Sequence, residues 1–287
     1  MTADSPQGKI LIKALADLDY EAGKNLSFAS RGAMADIARL PGIVEDLKAG
    51  GAAILVALGY PSAAAAKAAG VATVIFAGAG DPVATGLVES WAHPGGVVTG
   101  ISDVAATLTV KRLELLKAFS PQLKRVAMLW NTDDRAMTLR YQASAETAKI
   151  QGLIVQPLGV REPDDFNGAF AAMERDKPDA ILMVADALTV LNRKRVFDYA
   201  ASRRLPAIYE SDFFAREGGL MSYGADQRES LTRAASMVDR IFKGARPGDI
   251  PFEQPTRYLF VINLKTAKAM GLEPPVTLLG LADDVIE

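Results

Sequence analysis

Short runs of Val, Ile, Leu and Ala alternate along the chain with longer segments in which apolar side chains recur every three or four positions. This alternation predicts strands of parallel sheets, buried on both faces, separated by covering helices. Four of the apolar runs pass straight into small or polar loops. They are Ala53–Gly59 into Tyr60-Pro61-Ser62, Val74–Phe76 into Gly78-Ala79-Gly80-Asp81-Pro82, Val126–Trp130 into Asn131-Thr132-Asp133, and Ile181–Val184 into Asp186. In a parallel sheet all such loops lie at the carboxyl ends of the strands, where α/β folds bind ligands. Two of the junctions fall before residue 100 and two after 125. The pattern therefore predicts two sheets whose loop-bearing edges form a cleft.

The element reading follows the same periodicities. A first helix over about Gly8–Leu18 precedes a strand-like Asn25–Ala29, a helix around Ile43–Ala49 and the strand at 53–58. Ser62 is placed as the N-cap of the next helix, and Asp81-Pro82 opens another, with Asp as cap and Pro in the first turn. Val97–Thr99 is a short strand, and a break near Ile101–Ala105 ends the first set. The second set runs helix Ala105–Phe119, strand Arg125–Trp130, helix 136–151, strand Ile154–Leu158, helix 164–175, strand Ala180–Val184, helix 189–202 and strand Pro206–Tyr209. After a short strand at Gly219–Tyr223, Leu231, Ala234, Ala235, Val238, Ile241 and Phe242 form one helical stripe. The tail is extended over Phe252–Ile262, then helical from Asn263 to a stop at Gly271. This tail predicts that the chain recrosses between lobes: 1–101 with about 226–251 in one, and 102–225 with about 252–287 in the other. The first lobe reads as one strand short, because the polar loop Asp4-Ser5-Pro6 leads directly into its first helix.

Composition narrows the chemistry. A chain of 287 residues, 49% hydrophobic and 23% charged with net charge −2, describes an ordinary globular α/β protein. It has no basic stripe that would suggest a nucleic-acid partner. Cysteine is absent and the sole histidine is His93, in the turn Ala92-His93-Pro94-Gly95. The absence of cysteine excludes disulfides and thiol nucleophiles, and one His with no Cys cannot build a usual zinc or iron site. No Gly-x-Ser-x-Gly elbow accompanies His93, which reads as a surface turn residue. Asp133-Asp134 could contribute to an oxygen-ligand site, but an acidic pair in a loop reads first as solvated. No P-loop is present, and Gly78-Ala79-Gly80-Asp81 lacks the third glycine of a dinucleotide fingerprint. No cofactor or metal is expected, and nothing looks assembled for breaking bonds. No apolar run reaches the roughly 18 residues of a membrane span. Met1–Pro6 does not resemble a signal peptide.

What remains suits recognition. Backbone N–H groups at the helix start after Gly59, with the Ser62 hydroxyl, could bind a carboxylate. Asp81, Asp186 and Glu210 could accept from an ammonium, and Asn131 could donate and accept. Tyr60, Trp130 and Tyr209 could supply flat apolar walls. Each has a plainer reading: Ser62 and Asp81 as helix caps, Trp130 as core, Asp186 as a loop acid.

Several of these segments carry a resemblance. Gly59-Tyr60-Pro61-Ser62, the run from Val74 to Leu87, Pro94-Gly95-Gly96-Val97-Val98-Thr99-Gly100, Lys111–Leu116 and Val126–Asn131 resemble the uncharacterised ABC-transporter substrate-binding proteins. So do Arg204–Tyr209, Gly218–Gly224, Glu253–Thr256 and Val261–Lys268. The likeness runs in unbroken order from about residue 8 to the C-terminus. It implies a type I periplasmic-binding-protein fold, with two doubly wound lobes joined by a hinge. The implied function is capture of a small solute, an amino acid or aromatic acid among relatives, and its delivery to a membrane permease. Carried over by position, the ligand-binding residues would be Gly59, Tyr60, Ser62, Asp81, Asn131, Asp186, Tyr209 and Glu210. Tyr60 departs from the smaller residue usual there. The resemblance also implies a periplasmic protein, monomeric or dimeric, whose export signal and first strand are missing from this chain. The other readings are an effector domain of a regulator and, behind it, a small-metabolite enzyme.

Overall fold

The computed structural model describes residues 3–287. In chain order it begins with α1 (Pro6–Ala16), α2 (Leu40–Ala49), β1 (Ile54–Leu58), α3 (Tyr60–Ala68), β2 (Ala72–Ala77) and β3 (Val98–Gly100). Then come α4 (Thr109–Phe119), β4 (Arg125–Asn131), α5 (Arg135–Ile150), β5 (Ile154–Val160), α6 (Asp165–Arg175) and β6 (Ala180–Met183). They are followed by α7 (Ala187–Leu191), α8 (Arg193–Arg203), β7 (Ala207–Tyr209), α9 (Asp212–Arg216), β8 (Met221–Ala225) and α10 (Gln227–Phe242). The tail holds β9 (Tyr258–Asn263), α11 (Leu264–Met270), α12 (Val276–Leu279) and β10 (Asp284–Ile286). Two compact units result, one of residues up to Asp103 with Asp226–Thr256, the other of Val104–Ala225 with Arg257–Glu287. The third crossing falls after Thr256 rather than after 251. Phe252 packs in the first unit, and Glu253 N–H donates to the Gly100 carbonyl there.

The first unit has a parallel sheet in the order β1-β2-β3. The alternation along β2 is visible in what each face meets. Val74 and Phe76 pack with Leu11 and Leu15 of α1 and with Leu231, Ala234 and Val238 of α10. Ile75, one position out of phase, packs with Ala63, Leu87, Val98 and Phe252 on the other face. The α10 stripe thus faces the sheet as its spacing requires, and Asp226 caps the helix by accepting from Arg228 N–H.

The second unit has a sheet in the order β10-β9-β8-β7-β6-β4-β5, parallel except where β8 meets β9. Both β4 and β6 are almost wholly buried, which matches their near-continuous apolar sequence. Asn263 caps α11 by accepting from Thr266 N–H, and Gly271 closes that helix in the left-handed conformation.

The structure corrects several expected elements. Asn25–Ala29 is not a strand: Leu26 and Phe28 pack on the core, but the only ladder contact nearby is a bridge between Ala22 and Leu26. The segment after Asp81 is a run of turns, which Gly86, at φ +74°, interrupts before a helix can propagate. Ser62 is not an N-cap, because α3 starts at Tyr60 and Gly59 holds the cap position at φ +85°. The helix expected from Ala105 starts at Thr109, and that expected over 189–202 is divided at Asn192. The short elements α12 and β10 carry too few residues for a periodic signal.

Val104, the first residue of the second unit, has φ +44°. A β-branched side chain is strained there, at a cost of about 1–3 kcal/mol. Glycine would remove that strain, at an unfolded-state cost of about 0.5–1 kcal/mol. Val104→Gly is therefore expected to unfold at a temperature equal to or above wild type in a thermal melt. An ordinary loss of stability would show that the backbone here is unstrained.

Candidate functional site

In the first unit the candidate residues lie where β1 and β2 end. Gly59 N–H donates to the Ala77 carbonyl (3.0 Å) and Tyr60 N–H to the Gly78 carbonyl (2.9 Å), so the two loops run together. The approach needs glycine: a Cβ on Gly78 would lie 3.0 Å from the Gly59 Cα, and Gly78 itself has φ +74°. Pro61, in the first turn of α3, has no N–H, and Ala63 N–H already bonds the Gly59 carbonyl (3.3 Å). That leaves the Ser62 amide without an acceptor inside its own helix, next to its half-buried hydroxyl. Tyr60 is half-buried and packs partly against the Ala57–Ala63–Ile75 cluster.

The second loop is fastened from the first crossing. Gly78 N–H donates to Asp103 Oδ2 (3.1 Å), and the Ser102 hydroxyl donates to the Gly80 carbonyl (3.0 Å). Asp81 is exposed and caps its turn, accepting from Val83 N–H (2.9 Å) and Ala84 N–H (3.1 Å), both on Oδ1.

In the second unit β4 and β6 are neighbours, and the last residue of β4 meets the loop after β6. Asn131 Nδ2 donates to Asp186 Oδ2 at 2.6 Å. Asn131 Oδ1 is held by Asp133 N–H (3.0 Å), which fixes the amide orientation. Asp186 forms a capping box with Thr189 at the start of α7: Thr189 N–H donates to Asp186 Oδ1, and Asp186 N–H to the Thr189 hydroxyl, both at 2.9 Å. An ionised carboxylate offers about four lone-pair positions. Asn131 takes one on Oδ2, so Asp186 keeps capacity for a further donor.

Asp134 is not the solvated acid its sequence position suggests. It is 2% exposed and caps α5 through Ala136 and Met137 N–H groups. Burial foremost, and then the Asp186 charge, push its carboxyl from 3.8 to about 6. Asp133, beside it, is exposed.

Two expected ligand residues are buried and engaged within the second unit. Tyr209 is 1% exposed, stacked on Phe214 (5.3 Å) and edge-on to Phe197 (5.1 Å), and burial drives its hydroxyl pKa upward. It is a core side chain of the second unit. Glu210 is buried between Arg140 (2.7 Å) and Arg112 (3.2 Å), and it also accepts from Ala185 N–H (2.9 Å). Its oxygens are engaged by its own chain. Trp130 is likewise core, stacked face to face on Tyr141. His93 is exposed in its turn. Among the described residues no group of three or more His, Cys, Asp or Glu is placed to hold a metal. Among the described residues no helix is long and apolar enough to cross a membrane.

Sequence reasoning missed Ser102, Asp103, Arg112 and Arg140, whose partners are distant in the chain and leave no local spacing signal. It also missed the Asp186–Thr189 box, reading Asp186 as a loop acid, although a capping residue with a partner three positions on is a local pattern that could have shown it.

The family model described as ABC transporter substrate binding protein matches residues 6–286. A tyrosine-binding protein of Clostridioides difficile (strain R20291) is 27% identical over 266 residues, covering 92% of this chain and 76% of that protein. Among solved structures, a conserved domain protein from Vibrio cholerae superposes with a TM-score of 0.90 at 24% identity, covering 97% of this chain and 94% of the other. An ABC domain from Streptococcus pneumonia, solved in complex with L-Trp, superposes at 0.86 with 24% identity, covering 98% and 96%. The chain belongs to the ABC transporter substrate binding protein family and is a non-catalytic receptor of the type I periplasmic-binding-protein fold, which passes a small solute to a membrane permease.

Proposed function

We propose that the solute is an α-amino acid with an aromatic side chain, taken up outside the cytoplasmic membrane. The observation that carries this reading is the Asp186 carboxylate, fixed by Thr189 and Asn131 beside the ends of β4 and β6 with one acceptor position left open. A carboxylate so oriented suits an ammonium group, because charge-assisted bonds are the stronger and more directional ones. In the first unit, the Ser62 amide and hydroxyl at the start of α3 suit the carboxylate of the same solute. Tyr60 offers an aromatic wall beside them. Gly59 and Gly78 let the two loop backbones come within contact of each other. The tyrosine-binding and L-Trp-bound relatives are consistent with this class of solute.

Asp81 is the weaker ammonium partner, since it is exposed and solvent screens its charge, whereas Asp186 is half-buried. Tyr209 and Glu210 are outside the proposed contact set. Hinge closure as a population shift is the response to solute expected of a receptor of this family. The working form is taken to be a periplasmic monomer, with a dimer as the alternative that sedimentation would reveal.

Removing a charge-assisted contact costs about 1.5–3 kcal/mol. Asp186→Ala is therefore expected to weaken L-tyrosine or L-tryptophan binding about 10- to 100-fold in calorimetry, with Asp81→Ala having a smaller effect. Unchanged affinity in both variants would overturn the ammonium assignment.

Asp134 adds a pH dependence of known sign. Its folded pKa of about 6 lies above the ordinary 3.8, so the native state tolerates the protonated form better. Its contribution to ligand-free stability is full below about 4 and is lost as pH rises through about 6. Binding runs the other way, because ionised Asp134 adds negative charge beside an ammonium held on Asp186. Affinity should rise severalfold between pH 5 and pH 7, and Asp134→Asn should flatten that rise. A profile unaffected by the substitution would rule out the linkage.

A further inference from the structure

The geometry points to Glu210 as a positioning residue for solute binding, holding the Asp186 loop in register from the side of two chain crossings without touching the solute. This rests on the proposed role of Asp186.

The contacts form one connected path inside the second unit. Glu210 Oε2 accepts from Ala185 N–H (2.9 Å), the residue immediately before Asp186, and from Arg140 (2.7 Å) of α5. Glu210 Oε1 accepts from Arg112 Nη1 (3.2 Å) of α4. Arg112 in turn donates from Nη1 to the Ala105 carbonyl (2.6 Å) and from Nε to the Tyr223 carbonyl (2.7 Å). Ala105 follows the first crossing by two residues, and Tyr223 lies just ahead of the second. The backbone at Gly224 is pressed against the same residue: a Cβ there would lie 1.8 Å from the Glu210 carbonyl oxygen. The Arg112 side chain is 0% exposed and that of Glu210 3%, so these charges have no water to fall back on. Their geometry is enforced by one another, since a buried ion left without its partner is costly.

Stability alone does not require the Ala185 contact. A loop amide could be satisfied by a neighbouring carbonyl or by solvent, and the residue is only half-buried. Placing it on the central carboxylate makes the position of Asp186 depend on the same two oxygens that hold Arg112 and Arg140. The position of Asp186 and the backbone at Ala105 and Tyr223 are therefore set together.

Glu210→Gln separates this role from bulk stability. Glutamine keeps the shape but offers one oxygen where Arg112, Arg140 and Ala185 now share two, and it turns an NH2 group toward a guanidinium. Met173→Ala, a buried α6 substitution remote from this path, serves as a control for lost stability. Amide hydrogen exchange on the ligand-free proteins reads the loop directly, and calorimetric titration with L-tyrosine and L-tryptophan reads binding, both at a temperature where every variant is folded. Glu210→Gln is expected to speed exchange at Ala185 at least tenfold and to weaken binding at least tenfold, while Met173→Ala changes both less than twofold. Equal effects in the two variants, or unchanged exchange at Ala185 in Glu210→Gln, would overturn the proposal. If Glu210→Gln does not fold, Arg140→Lys, which keeps the charge but loses the planar fork, is judged by the same two criteria. If the wild-type protein binds neither amino acid, the solute reading fails, and exchange at Ala185 still decides whether Glu210 positions the loop.

Discussion

A carboxylate buried between two arginines organises the second unit. Taking three ionic groups out of water is costly, and attraction repays it only where nearly every lone pair and proton finds a partner. Around Glu210 the partners are drawn from α4, α5 and the loop after β6, and Arg112 ties in second-unit backbone next to two crossings. Elements separated by about a hundred positions are thereby held to one another by hydrogen-bond geometry, where apolar packing alone would leave more freedom to slide. The Asn131–Asp186 pair sits on that frame.

The first unit solves the same problem with backbone. Its two loops are joined by main-chain bonds from Gly59 and Tyr60, and the second is tied down by Ser102 and Asp103. Close approach of two glycines replaces the ion cluster. One unit thus presents amide and hydroxyl donors at a helix start, and the other an oriented carboxylate. The oriented carboxylate suits the ammonium end of the proposed solute. It fits a receptor that returns its solute unchanged better than it fits an enzyme or a DNA-bound regulator, and the family match agrees.

The strands and their loop-bearing ends were legible because burial on both faces forces an apolar run, and a parallel crossover forces a loop at each strand end. The α10 stripe was legible for a similar reason, as were the caps at Asn263 and Gly271. Local propensity misled where glycine intervened: Gly86 stopped the helix that Asp81-Pro82 would otherwise open, and Gly59 moved the start of α3 ahead of Ser62. Leu26 and Phe28 show that apolar spacing can serve packing without any ladder. The burial of Glu210 and Tyr209 was not legible for a deeper reason. Position after a strand says that a side chain is near the carboxyl edge, but not whether it faces outward or is consumed by arginines and aromatic rings contributed from elsewhere in the chain.

Native mass spectrometry of the freshly purified protein, before and after incubation with a mixture of amino acids, addresses the central claim most directly. The account predicts one solute per chain with the mass of an aromatic α-amino acid, released chemically unchanged when the protein is denatured. Retention of no amino acid, or recovery of a solute altered in mass, would contradict it.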